Sequence, residues 1–179
     1  ADSGRIEALH TVHPLSRYSD PRMRTREPME VPPHFHFRHR RMVEFADTDL
    51  AGIMHFSNFL RFVESAEHAF FRSLGFHAHI ADGPEHQGWP RLEVSCKYLE
   101  PARYEQTLEI CLRIEELRTN SLRYGFWIFV AEDSARPLLA HGEFAIIHVA
   151  FDARVREMRK APIPPDLRLK LEAAMAAPV

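Results

Sequence analysis

The sequence predicts an α+β domain: one strand, one long helix, then four strands in antiparallel succession. Three observations carry this. Between residues 57 and 74, Phe59, Leu60, Val63, Ala66, Ala69, Phe70 and Leu74 recur at spacings of three and four, the period of a helix with one apolar face. Leu108, Ile110, Leu112 and Ile114 alternate with period two, as a strand does. Thr119-Asn120-Ser121 and Glu132-Asp133-Ser134 supply turn chemistry between strand-like runs.

In chain order, residues 1–33 stand apart. Pro14, Pro21, Pro28, Pro32 and Pro33 interrupt any helix, and Arg17, Arg22, Arg24 and Arg26 are scattered among few apolar residues. Such a segment buries too little apolar surface to fold alone, so a flexible or loosely docked extension is expected, with the folded domain over residues 34–179. Residues 35–45 read as the first strand, with Phe35, Phe37, Val43 and Phe45 as its apolar positions and His and Arg crowding the middle. The helix follows an acidic loop. Ser57 is the expected N-cap, its hydroxyl taking a first-turn amide. Gly75 stands where a left-handed residue would end the helix. Phe62 and Phe71 lie off the main stripe and widen the apolar arc, so the helix should be enclosed on more than one side. Residues 76–91, rich in His, Gly and Pro, read as a connection. Strands are expected at 92–99, 106–117, 122–131 and 137–151, and a short helix at 163–176.

Composition narrows the function. The 179 residues suffice for one domain with a real core, 45% hydrophobic and 27% charged. A formal net charge of −2 offers no excess to neutralise phosphates, which argues against bulk nucleic-acid binding. Cys96 and Cys111, inside predicted strands with apolar neighbours, read as buried thiols in a reducing compartment. No apolar run reaches the ~20 residues that cross a bilayer. The first residues carry no signal-peptide core. A cytoplasmic protein without a membrane partner is expected.

The chemistry concentrates between Val43 and Asn58. An acidic loop abutting a helix N-terminus pairs a carboxylate with free backbone amides. The amides can hold a carbonyl oxygen while the carboxylate acts on its carbon as base or nucleophile, which points to acyl chemistry. Gly52 suits a tight turn or a close approach of backbone to ligand. Asp47 reads as a loop-holding residue. His55 can orient the acyl group or water, or simply begin the helix. Asn58 can support the loop or a subunit contact. Asp47, Asp49 and His55 would also serve a hard cation on paper. No helical His pair or Cys cluster accompanies them, so no metal is expected. The Gly-x-Ser-x-Gly elbow and the Gly-rich phosphate loop are missing from the sequence.

The run Asp47-Thr48-Asp49-Leu50-Ala51-Gly52-Ile53-Met54-His55-Phe56-Ser57-Asn58-Phe59-Leu60-Arg61-Phe62-Val63-Glu64 resembles the signature of hotdog-fold acyl-CoA thioesterases of the 4-hydroxybenzoyl-CoA thioesterase type. Tyr98-Leu99-Glu100-Pro101-Ala102-Arg103-Tyr104 is similar to that family's link between its second and third strands, and the likeness covers roughly residues 35–165. The resemblance implies a curved antiparallel sheet wrapped around one long central helix. It implies Asp49 as the catalytic carboxylate, with the thioester oxygen at the first helical turn, near the Phe56 N–H. Asn58, Phe59 and Glu64 then lie on the substrate side of the helix. Glu64 is the reserve carboxylate, because other hotdog thioesterases carry theirs on this helix; otherwise a helical Glu is solvated or pairs with Arg61 or His68. The implied substrate is an acyl-CoA, with no cofactor, in a homodimer or homotetramer. A hotdog hydratase or dehydratase on acyl thioesters and a non-catalytic acyl-CoA-binding subunit are the alternatives.

Overall fold

The computed structural model describes residues 30–78, 80–82, 85–152 and 157–179. Residues 1–29 of the expected extension lie outside the described residues, and a compact unit runs Pro32–Val179.

Five strands form the larger sheet: β1 (Phe37–Met42), β4 (Arg91–Tyr98), β5 (Thr107–Leu117), β6 (Ser121–Val130) and β7 (Leu138–Ile147), in the order β1-β5-β6-β7-β4. Every pairing is antiparallel. The alternation in β5 sends Leu108, Ile110, Leu112 and Ile114 to the core face, where they join Tyr124, Phe126 and Ile128 of β6 and Phe144 and Ile146 of β7. α1 (Phe56–Ser73) lies against that face. The Phe70 ring sits 5.2 Å from Phe37 and 6.4 Å from Tyr124, and Tyr124 stacks on Phe144 at 4.7 Å. Phe62 and Phe71, the residues off the stripe, are both buried, as the wide apolar arc requires.

The smaller sheet, β2-β3-β8-β9, is built from β2 (Ile80–Asp82), β3 (Glu85–Gly88), β8 (Val149–Asp152) and β9 (Glu157–Lys160). It corrects two expectations. The connection at 76–91 holds two short strands, and the run at 137–151 is two strands that part at His148. His148 is buried, with Nδ1 against the Pro162 carbonyl at 2.8 Å. The chain leaves one sheet for the other there, a change that an unbroken apolar run does not announce.

Two further boundaries move. Phe45 lies outside β1, in a single 3₁₀ turn Phe45–Asp47, and is 79% exposed. The cap of α1 is His55, whose Nδ1 accepts from the Ser57 amide, so Ser57 falls in the first turn. At the other end Gly75 takes φ +79°, the left-handed conformation expected of it. α2 (Pro165–Ala176) buries Leu167 and Leu171 and sends Lys170 Nζ to the Leu74 carbonyl at 2.7 Å, a cation at the carbonyl end of α1. Among the described residues no helix is long and apolar enough to cross a membrane.

Candidate active site

The loop ahead of α1 is held from three sides. The Asp47 carboxylate, its side chain 10% exposed, accepts from the Glu44 amide at 3.0 Å and lies 3.9 Å from Arg41 Nη2. The Asp47 carbonyl accepts from the His55 amide at 2.9 Å and from Asn58 Nδ2 at 2.8 Å. Thr48 and Met54 form an isolated bridge that closes the loop on itself. Inside it the Asp49 amide donates to the Ile53 carbonyl and the Gly52 amide to the Asp49 carbonyl, both at 2.9 Å. Gly52 sits at φ +72° with nothing within 4 Å of where a Cβ would stand, so the turn, rather than close packing, selects glycine. Asp49 Oδ1 accepts from the Ala51 amide at 2.8 Å.

A cavity of about 400 Å³ opens over this loop. Asp49 lies on its wall, with Phe56 and Phe59 from the first turn of α1 and Tyr98 and Pro101 from the end of β4 and the link after it. Phe59 is buried and meets the Tyr98 ring edge-on at 5.3 Å. The Tyr98 hydroxyl donates to the Phe56 carbonyl at 3.1 Å, and burial first, then its neighbour Cys96, push that phenol up to about 12, so it stays a donor. As the first residue of α1, Phe56 presents an amide that no carbonyl of its own helix can accept. Asp49, an apolar wall and Phe56, whose amide has no partner within its helix, therefore border one hollow.

The remaining sequence candidates are placed elsewhere. His55 Nδ1 is 2.8 Å from Ser57 Oγ, and its ring lies against Phe56 at 4.4 Å, so the side chain is engaged in capping. Asn58 is buried with its amide on the loop, the supporting role. Glu64 does not join Asp49. It lines a second cavity of about 160 Å³ between α1 and β4, with its carboxylate 56% exposed and 3.8 Å from Arg91 Nη2. Among the described residues no three metal-ligating side chains gather. Cys111 is buried among Phe35 and Phe129 as expected, Glu109, Arg38 and Arg136 also reach its sulfur, and burial first, then Glu109, push the thiol up to about 12.

Two features had no sequence signal. Tyr98 and Pro101 belong to a segment whose resemblance marks a strand link, and only the fold swings it over α1. Glu67 is 3% exposed, with Oε2 2.8 Å from Arg91 Nη2 and Oε1 unpartnered, and burial pushes its carboxyl up to about 7. In sequence it reads as one more helical Glu.

Comparison with known proteins shows the family and the fold. A profile of the thioesterase-like superfamily matches residues 43–171. A protein of Aquifex aeolicus (strain VF5), provisionally named an esterase, is 36% identical over 95 residues, 52% of this chain and 72% of its own. A solved structure from Prochlorococcus marinus, provisionally named a thioesterase, superposes with a TM-score of 0.63 at 27% identity over 80% of this chain and 99% of that one. Slr0204 of Synechocystis, a 1,4-dihydroxy-2-naphthoyl-CoA thioesterase, shares the fold with a TM-score of 0.60 at 24% identity, over 79% of this chain and 96% of that one. The matched profile covers the loop, α1, the end of β4 and the link after it, which together line the Asp49 cavity, and the chain belongs to the thioesterase-like superfamily of hotdog-fold thioester hydrolases.

Proposed function

We propose that this protein hydrolyses an acyl-CoA to the free acid and CoA, with Asp49 as the working carboxylate. The observation that carries the reading is that Asp49 and the first turn of α1 wall the same cavity. The thioester oxygen sits at the Phe56 amide, where charge developing on it is met by an N–H already in place; one such donor is typically worth ~3 kcal/mol of barrier. Asp49 either takes a proton from water as water adds to the carbonyl carbon, or adds to that carbon itself. In the second route the tetrahedral adduct expels CoA as thiolate and leaves a mixed anhydride on Asp49, which water then cleaves. Buried Phe59, with the Tyr98 ring against it, offers the acyl group an apolar surface, and no step calls for a cofactor.

The sheet curves around α1 as the single central helix, and the active unit is a homodimer or homotetramer in the cytoplasm. Support for assembly comes from β4, an edge strand whose Leu92, Val94 and Tyr98 are exposed. Pairing two such edges removes an unpartnered ladder and covers those residues. Thiol release over a panel of short, long and aromatic acyl-CoAs tests the activity. An acyl-enoyl interconversion without thiol release would instead place the protein with the hydratases, and binding without either reaction would make it a carrier subunit.

A further inference from the structure

Both cavities border α1 and β4, the Asp49 cavity at Phe56, Phe59 and Tyr98 and the smaller one at Leu60, Glu64, Arg91 and Val94. Tyr98 faces Phe56 and Phe59 at one end, and Arg91 faces Glu64 and Glu67 at the other, so strand and helix run antiparallel. Between these ends Leu60, Val63, Val94 and Phe144 form an apolar wall. A β-bulge makes this possible. The pairing of β4 with β7 shifts between Arg91 and Glu93, where one residue of β4 is extra. In a regular strand Arg91 and Val94 would face opposite sides; the extra residue turns Arg91 to the side of Val94, a recurring use of bulges beside active sites.

Arg91 is held there firmly. It donates to Glu67 at 2.8 Å, lies 3.8 Å from Glu64, and its guanidinium sits 4.5 Å from the centre of the Phe144 ring. An acyl chain laid from Asp49 along α1 would pass Leu60 and Val94 and then meet Arg91 and Glu64. From Phe56 to Glu64 the helix rises about 12 Å. At a C–C bond of ~1.5 Å and tetrahedral angles, an extended acyl chain of about eight to ten carbons spans that length.

We propose that Arg91, backed by Glu64 and Glu67, is the specificity-determining end-stop of the acyl groove and selects medium-length acyl groups. The proposal rests on the acyl-thioester reading above and names the substrate class within it. A longer chain must push methylenes against a paired guanidinium, which neither solvates them nor gives way without exposing a buried carboxylate. A shorter chain leaves apolar wall uncovered, at a cost of about fourfold in affinity per missing methylene.

The test is thiol release from saturated acyl-CoAs, butyryl to palmitoyl, beside displacement of an anilinonaphthalene dye by the matching free fatty acids. The wild-type profile should peak at about eight to ten carbons. Val94→Trp fills the smaller cavity and should move the peak to shorter chains, losing about fourfold for each methylene excluded. Arg91→Ala combined with Glu67→Gln opens the stop without stranding a buried charge and should move the peak to longer chains. A flat wild-type profile, or one profile shared by all three proteins, overturns the proposal. If no acyl-CoA is cleaved and the dye assay still shows both shifts, the groove stands and the hydrolase reading falls. If thiol release depends on Asp49 and neither profile moves, the hydrolase reading stands and the end-stop falls.

Discussion

Asn58, in the first turn of α1, donates to the carbonyl of Asp47 at 2.8 Å and so ties the helix to the loop that carries Asp49. The bond is buried, and the same carbonyl also accepts from the His55 amide. Asn58→Ala should therefore cost about 1 kcal/mol, the ordinary net worth of one hydrogen bond, because the acceptor keeps a second donor. In a domain of this size that lowers Tm by roughly 2–4 °C. The loss of kcat should be larger than the stability loss suggests, since misplacing a carboxylate by ~1 Å can cost 10²-fold. A normal kcat beside a lowered Tm would show that the bond supports the fold alone.

Asp49→Asn keeps the loop shape, including an oxygen for the Ala51 amide, and removes the basic oxygen. Steady-state thiol release should fall by about 10²–10⁴ in kcat while the melting curve is preserved. Glu64→Gln, in the separate cavity and more than half exposed, should cost far less in kcat. If Glu64→Gln abolishes turnover and Asp49→Asn does not, the working carboxylate is on the helix.

Glu67 should give the protein a negative stability slope with pH. Burial pushes its carboxyl up to about 7 from its ordinary value of 4.5. Below pH ~4.5 the folded and unfolded chains both hold the proton and the group contributes nothing. Between about 4.5 and 7 the unfolded chain releases it first, so stability falls as pH rises, by about 3 kcal/mol once pH exceeds 7. Chemical denaturation at several pH values, wild type minus Glu67→Gln, isolates this from groups with other signs, such as His36 and His39, whose burial lowers them. A difference independent of pH would show that Glu67 ionises freely in the folded protein.

β4 should be the assembly edge. Light scattering at micromolar concentration is expected to give at least a dimer. Leu92→Lys places charge along that edge and should yield a monomer with reduced activity. A wild-type monomer that turns over at full rate refutes the assembly.

The long helix, its left-handed end at Gly75, the alternating strand β5 and the acidic loop were legible in the sequence because each rests on contacts within a few residues: a helical or strand period, a positive φ, a carboxylate beside free amides. His55 rather than Ser57 caps α1 because loop closure, through the His55 amide on Asp47, decides where the helix begins. The break at His148, the bulge that turns Arg91, the position of Tyr98 over Phe56 and the burial of Glu67 were decided by the tertiary structure. Each depends on a partner far along the chain: Pro162 for His148, Ile146 and Ala145 for the bulge, Phe56 for Tyr98, Arg91 for Glu67. Local periodicity states which face of an element is apolar; which distant residue covers that face, and hence which carboxylate meets a cavity and which meets an arginine, follows only when the sheet and helix pack.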